Sequence, residues 1–332
     1  MRDLRELLHK HARDVEELLE REVPKGRRDY LTDGVWYQFD SGGKRLRPAL
    51  CLMTCEALKG DVRAALPFAL ATEILHNFLL IHDDIEDGDT MRRDQQTLWA
   101  RFGVPNALNV ADYLIARAYR LILEAPLAGE VNLRLSRAFT HALERTVEGQ
   151  ALDINLRGHP EVDLETYYRI VQLKTAHYLA LTWVGGAIVA GVAESDLGSF
   201  WELGRCLGPA FQIRDDIIDL TEGKGRGGEI GCDIREGKPS IFFAHVQDRR
   251  VGRQEDRRRL VEIFQRDRQD TTEEDIRWAI DFFREHGAID FAQSEANRLV
   301  GEAEEILGRL PLGEEGSERF RSVARFIIDR NF

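Results

Sequence analysis

Apolar residues recur at helical spacing almost from the first turn of this chain. Leu4, Leu7, Leu8, Val15, Leu18 and Leu19 form one stripe among charged neighbours, the pattern of an amphipathic helix. The same period predicts helices over about 46–59, 63–90, 95–120, 131–157, 164–191, 195–221, 239–248, 255–267, 272–285, 288–309 and 315–330. Alternating β-branched runs between tight turns are missing, so no sheet is predicted. Pro24, Pro48, Pro160 and Pro239 fall at predicted helix starts or in loops. No low-complexity linker divides the chain, so one large all-α domain over 1–332 is expected.

Three segments interrupt the amphipathic pattern: Ser41–Pro48, His82–Arg93 and Asp215–Pro239. The third carries glycines at 223, 225, 227, 228, 231 and 237, a density that lets backbone approach a ligand closely. Two nucleotide-like strings fail on context. Gly223-x-Gly225-x-x-Gly228 follows a predicted helix rather than a strand. Gly42-Gly43-Lys44 has Gln38 where a P-loop needs its first glycine and Arg45 where it needs Ser or Thr.

Composition narrows the function class. The chain has 332 residues, 43% of them hydrophobic, which is enough for a large core and unlike disorder. Its 46 basic and 58 acidic residues give a net charge of −12, which argues against nucleic acid and against an anionic membrane surface as partners. The four cysteines (Cys51, Cys55, Cys206, Cys232) form no zinc-type or disulfide-type spacing. The first twenty residues are charged throughout, and no secretory leader is expected. The run Tyr178–Ala193 is shorter than the ~20 residues of a membrane span and contains Gly185 and Gly186. A soluble, cytoplasmic protein is expected.

The acids that matter are concentrated. Asp83-Asp84-Ile85-Glu86-Asp87 and Asp215-Asp216-Ile217-Ile218-Asp219 both read D-D-x-x-D, each at the end of an apolar run. On a helix, positions i and i+4 share a face, so Asp83 lies with Asp87 and Asp215 with Asp219. One such motif also reads as a solvated helix end. Two, each beside apolar sequence, call for a compensating cation, and carboxylate-only donors suit Mg²⁺ bridging to phosphate. Lys44 and Arg47 follow two glycines, and Arg92 and Arg93 follow the first acidic motif. Arginine forks and lysine charges bind phosphate oxygens. His76 lies two turns before Asp83 on the same predicted face, where it also reads as an ordinary core histidine.

At this point the chain resembles the trans-isoprenyl diphosphate synthase (polyprenyl synthetase) family, from about residue 40 to the C-terminus. The resemblance rests on GGKRLRP at 42–48, DDIED…RR at 83–93, Glu148-Gly149-Gln150…Asp153, Leu173-Lys174-Thr175, Phe211-Gln212, DDIID at 215–219 and Asp233-Ile234-Arg235-Glu236-Gly237-Lys238. It implies an all-α bundle around a central cavity, usually as a homodimer. It also implies Mg²⁺-dependent condensation of isopentenyl diphosphate with C5–C15 allylic diphosphates through an allylic carbocation.

Lys44, Arg47, His76 and Arg93 match positions that hold isopentenyl diphosphate. Asp83, Asp87 and Asp215 match direct Mg²⁺ ligands, with three ions implied, and Asp84, Asp216 and Asp219 match further or indirect partners of the metal. Arg92, Lys174 and Lys238 match positions for the allylic diphosphate, while Thr175 and Gln212 match positions near its reacting carbon.

Two departures stand out. No lysine precedes Asp233 in Gly227–Gly231, where the family usually has one; Lys224 or Arg226 is the candidate replacement, and Lys224 is preferred. Asp94-Gln95-Gln96 stands where Gly-x-Pro is usual, and only a local loop effect is expected.

The large Phe78, followed by the non-aromatic Leu79, lies about 7.5 Å before Asp83 on the helix. The family resemblance makes these residues the floor for the growing chain. With two residues, not four, between the aspartates of the first motif, the pattern resembles archaeal-type geranylgeranyl (C20) diphosphate synthases. Farnesyl (C15) synthesis is the alternative. A class I terpene cyclase would not need GGKRLRP or the second DDIID, and a noncatalytic subunit would not need intact acids.

Overall fold

The computed structural model describes residues 2–25, 29–43, 45–221 and 230–328, with side chains described from residue 10 to 326 within those ranges. In chain order the described residues form α1 (Arg2–Glu22), α2 (Tyr30–Asp40), α3 (Leu46–Ala57), α4 (Val62–Glu86), β1 (Met91–Arg92), β2 (Gln95–Gln96), α5 (Leu98–Phe102), α6 (Val104–Leu123) and α7 (Gly129–Asn155). They continue with α8 (Leu164–Val171), a π-helical turn (Gln172–Ala176), α9 (His177–Val189), α10 (Gly198–Thr221), α11 (Cys232–Arg235), α12 (Ile241–Arg249), α13 (Gln254–Phe264), α14 (Glu273–Glu285), α15 (Ala288–Leu307) and α16 (Gly313–Ile328). The fold is all-α, as the periodicity predicts. The chain groups into two compact units: Met1–Leu143 with Tyr178–Gly204 and Ile306–Ser322, and Glu144–His177 with Arg205–Glu305 and Val323–Phe332.

In the first unit α4 is the central element, packed against α1, α3, α5 and α6. Asp61 caps its N-terminus by accepting from the N–H groups of Arg63 and Ala64. Its residues from Ala65 to Leu75 are largely buried, including Phe68, Leu70 and Ile74. By length and apolar content α4 would suffice to cross a bilayer, a candidate the run-length reading overlooked because Thr72, Glu73 and Asn77 interrupt it. Those same residues are buried inside the unit, which marks a core helix. Close packing on α3 and α4 depends on the glycine pair of α9. A Cβ on Gly185 would meet Phe68 at 1.9 Å, and one on Gly186 would meet the Cys51 carbonyl at 2.3 Å.

Three sequence expectations need correction. Helix α2 is absent from the predicted set because its apolar pattern is short. It is held by an Asp29 cap, with Gly34 pressed on Val110 of α6. The predicted helix 95–120 is broken at Gly103 (φ 83°) into α5 and α6. The absence of a sheet is also incorrect: β1 and β2 form a minimal antiparallel hairpin, Met91 opposite Gln96. Its turn residues Arg93 and Asp94 both take left-handed φ (52° and 61°), as a two-residue type I′ turn demands.

The second unit is built on α8 and α12, with α11 against α13 and α14. Its core is aromatic: Phe243 stacks on Phe264 at 4.5 Å, and Phe283 meets both Phe242 and Phe264. Asp163 caps α8 and Ser240 caps α12.

Candidate active site

Each unit carries one aspartate motif at a helix end, and in the first unit Arg92 pairs with it. In the first unit the C-terminal turn of α4 continues through Asp87, whose N–H donates to the Asp83 carbonyl (2.8 Å). The predicted i, i+4 relation therefore holds. Asp83 is partly exposed, whereas Asp84 and Asp87 are buried. Arg92 spans the turn, donating to Asp84 Oδ1 (2.5 Å) and Asp83 Oδ2 (3.3 Å), with Asp89 at 3.8 Å. Burial raises the Asp84 carboxyl to about 7, and the Arg92 charge opposes that rise. Trp99 Nε1 donates to the carbonyls of both Asp84 and Asp89, pinning the turn from α5. Trp99 carried no recognisable spacing signal in the sequence.

The basic side of this unit is organised by Tyr178, which lies outside the motifs, and by Arg45, a member of GGKRLRP. Tyr178 accepts from Arg47 (2.6 Å), lies under its guanidinium (4.7 Å to the ring centroid) and stacks on His76. Its position four residues after Lys174 was the available clue. Burial, then the charges of Arg47, Arg93, Arg92 and Arg45, hold the His76 imidazole well below its usual value, so it is neutral at physiological pH. Arg45 enters α3 with a left-handed φ of 47° and turns inward. It donates to Glu73 Oε1 (3.2 Å) and the Phe39 carbonyl (2.8 Å), with Glu16 at 3.6 Å. Arg93 donates to the Gly42 carbonyl, which secures the glycine loop before α3. Lys44 lies outside the described residues, as do Lys224 and Arg226. Phe78 and Leu79 are half-buried on α4, with Phe78 4.6 Å from the His82 ring.

In the second unit Lys174 and Thr175 sit in the π-helical turn, a local break that re-aims side chains. Lys174 Nζ donates to Asp153 Oδ2 (2.8 Å), with Arg157 at 3.7 Å from the same oxygen. Gly149 is explained by geometry: a Cβ there would stand 2.2 Å from the Lys174 nitrogen. Gly208 plays the same part on α10, where a Cβ would meet Ala176 Cα at 2.5 Å. Pro209 cannot donate to the Arg205 carbonyl, and Gln172 Nε2 donates to it instead (2.7 Å).

Of the aspartates of the second motif, Asp215 is partly exposed, and Asp216 and Asp219 are buried. Asp219 accepts from the Asp233 N–H (3.1 Å), and its carbonyl accepts from Gly231 (2.8 Å), so it anchors the start of α11. Lys238 is paired with Glu236 (2.7 Å) and lies 3.9 Å from Asp233. Thr175 Oγ1 donates to Gln212 Oε1 (3.5 Å).

The described residues assemble no preformed group of three or more His, Cys, Asp or Glu ligands. The partly exposed Asp83 and Asp215 offer hard oxygen donors alone. That chemistry fits Mg²⁺, which keeps waters and takes further ligands from substrate phosphates.

Comparison with known proteins adds the remaining observations. The Polyprenyl synthetase family profile matches residues 28–282. The chain is 30% identical to a short chain isoprenyl diphosphate synthase of Methanothermobacter thermautotrophicus, over 99% of both chains. It is 32% identical to a geranylgeranyl pyrophosphate synthase of Geoglobus acetivorans, over 96% of this chain and 95% of the relative. Among solved structures, geranylgeranyl pyrophosphate synthetase from Pyrococcus horikoshii superposes with a TM-score of 0.89 at 30% identity, covering 99% of each chain.

Proposed function

The chain belongs to the polyprenyl synthetase family of Mg²⁺-dependent prenyltransferases, and on that premise we propose how its residues share the work of chain condensation. The reaction joins isopentenyl diphosphate head-to-tail to an allylic diphosphate, with geranylgeranyl diphosphate (C20) as the product. The observation that carries the assignment is the acidic turn at the end of α4, where Arg92 pairs with Asp83 and Asp84 while Asp83 stays partly exposed, together with the second D-D-x-x-D motif, whose Asp215 is also partly exposed.

Asp83, Asp87 and Asp215 would hold Mg²⁺, as three ions, with Asp84 and Asp219 as indirect partners. When bound, Mg²⁺ neutralises the diphosphate so that it can depart from the allylic carbon. Arg92, Lys174 and Lys238 hold the allylic diphosphate and stabilise the charge that builds on it as the C–O bond breaks. The Thr175 hydroxyl and Gln212 carbonyl turn their oxygens toward the allylic cation. Lys44, Arg47, Arg93 and neutral His76 hold isopentenyl diphosphate, whose double bond attacks that cation. The released diphosphate accepts the proton then lost. Apolar side chains, Phe78 and Leu79 among them, keep water from quenching the cation.

Both units act as parts of one domain, a reading supported by a family match that runs through both. The protein works as a soluble cytoplasmic homodimer. Support comes from the buried face of α4, the buried free cysteines, and the exposed Val104 and Leu108 one turn apart on α6.

The test is mass spectrometry of products formed from isopentenyl diphosphate with C5, C10 and C15 primers and Mg²⁺. C20 diphosphate is expected. A C15 end point would move the assignment to farnesyl synthesis. Cyclic hydrocarbon formed without isopentenyl diphosphate would overturn it.

A further inference from the structure

Asp216 stands in the second aspartate motif, yet its carboxylate is turned into the protein. It is 3% exposed, and among the described residues donors from three segments reach it. Tyr167 Oη of α8 donates to Oδ2 (3.1 Å), the Ile241 N–H at the start of α12 donates to Oδ2 (3.2 Å), and Gln212 Nε2, one turn earlier on α10, donates to Oδ1 (2.9 Å). A carboxylate has about four acceptor sites, so three donors occupy most of its capacity. Tyr167 is itself 1% exposed and its single hydroxyl hydrogen is committed to this bond.

We propose that Asp216 is a positioning residue rather than a metal ligand: held by Tyr167 and the start of α12, it sets the orientation of the Gln212 amide. A carboxylate oxygen receives hydrogens and repels a carbonyl. The amide nitrogen of Gln212 therefore faces Asp216, and Oε1 faces the other way, where the Thr175 hydroxyl donates to it. Orientation has chemical consequence here. A carbonyl oxygen lowers the energy of a nearby cation, whereas an NH₂ turned the same way raises it. Tyr167 acts one step further back, by keeping Asp216 from rotating. This inference rests on the prenyl-transfer reading of the site.

The experiment is a double-mutant cycle read by steady-state kinetics at several Mg²⁺ concentrations. Asp216→Asn is expected to lower kcat about tenfold. KM for both diphosphates and the half-saturating Mg²⁺ should stay within twofold of wild type. Tyr167→Phe, which removes one hydroxyl, should lower kcat about threefold with the same profile, and it serves where Asp216→Asn does not fold. In a Gln212→Ala background both losses should vanish. Additive losses, or unchanged kcat in both single variants, would overturn the positioning role. So would a tenfold rise in the Mg²⁺ requirement of Asp216→Asn with kcat restored at high Mg²⁺.

A second readout is independent of turnover. Calorimetry with Mg²⁺ and inorganic diphosphate should give equal affinity for wild type and Asp216→Asn but at least tenfold weaker binding for Asp215→Asn; equal weakening of both would assign Asp216 to the metal. A wild-type protein without condensation activity would remove the functional reading, and calorimetry would still decide the role of Asp216.

Discussion

A buried guanidinium persists only where its charge is met, and Arg45 shows what that costs and secures. Its partner Glu73 is an isolated acid inside the apolar face of α4, at 3% exposure. Removing one member of such a pair leaves the other charge buried and costs about 3–5 kcal/mol. Glu73→Gln is therefore expected to lower stability by about that amount in urea unfolding. Arg45 also donates to Phe39, next to the Gly42–Gly43 loop before α3, so KM for isopentenyl diphosphate should rise while the allylic KM stays constant. Phe78 is the second case. Its ring is large and only half-buried on α4, five residues before Asp83. Phe78→Ala is expected to lengthen the product beyond C20 by mass spectrometry, and an unchanged product would remove Phe78 from that role. The charged members of the motifs were readable from spacing. Trp99, Tyr178 and the inward turn of Arg45 were not, because their importance lies in what they touch.

At two places a close helix approach depends on the absence of a side chain. Gly149 of α7 abuts the π-turn at the Lys174 nitrogen, and Gly208 of α10 abuts it at Ala176. Both contacts are with backbone or Cβ atoms, which cannot swing aside. Gly149→Ala is expected to displace the turn that carries Lys174 and Thr175, lowering kcat/KM at least tenfold and Tm by several degrees. Wild-type kinetics would show that the turn position is immaterial. The sequence predicted one helix through 164–191 and could not show the π-turn inside it, since a π-turn inserts one residue without changing the helical character around it. The hairpin at 91–96 was hidden for a related reason: Arg93 and Asp94 carry no glycine to announce left-handed backbone.

Across the chain, the buried histidines tie stability to pH. His11 is 1% exposed on α1, and burial pulls it below its free value of 6.5, with Glu56 acting the other way. His76 is pulled down further, by burial and four arginines. Above pH 6.5 both are neutral whether the chain is folded or not. Below it the unfolded chain binds protons that the folded chain refuses, so stability falls as pH drops. Each adds about 1.4 kcal/mol per pH unit until its folded value is reached. Urea midpoints between pH 7 and pH 5 should decline. His11→Asn should flatten that slope by about one proton, and an unchanged slope would show that His11 is not buried neutral.

The all-α class, most helix spans and both aspartate motifs were set by the sequence alone, because helical period and i, i+4 spacing are local properties. The net charge of −12 already set aside nucleic acid. Which of the acids keep access to solvent was decided by tertiary contacts. Asp83 and Asp215 keep access to solvent, while Asp84, Asp216 and Asp219 are committed to Arg92, to Tyr167 with Gln212, and to the Asp233 backbone. These five identical side chains differ only in burial and in the donors that reach them. Those donors come from segments as far away as Tyr167 is from Asp216, a separation that local pattern does not span.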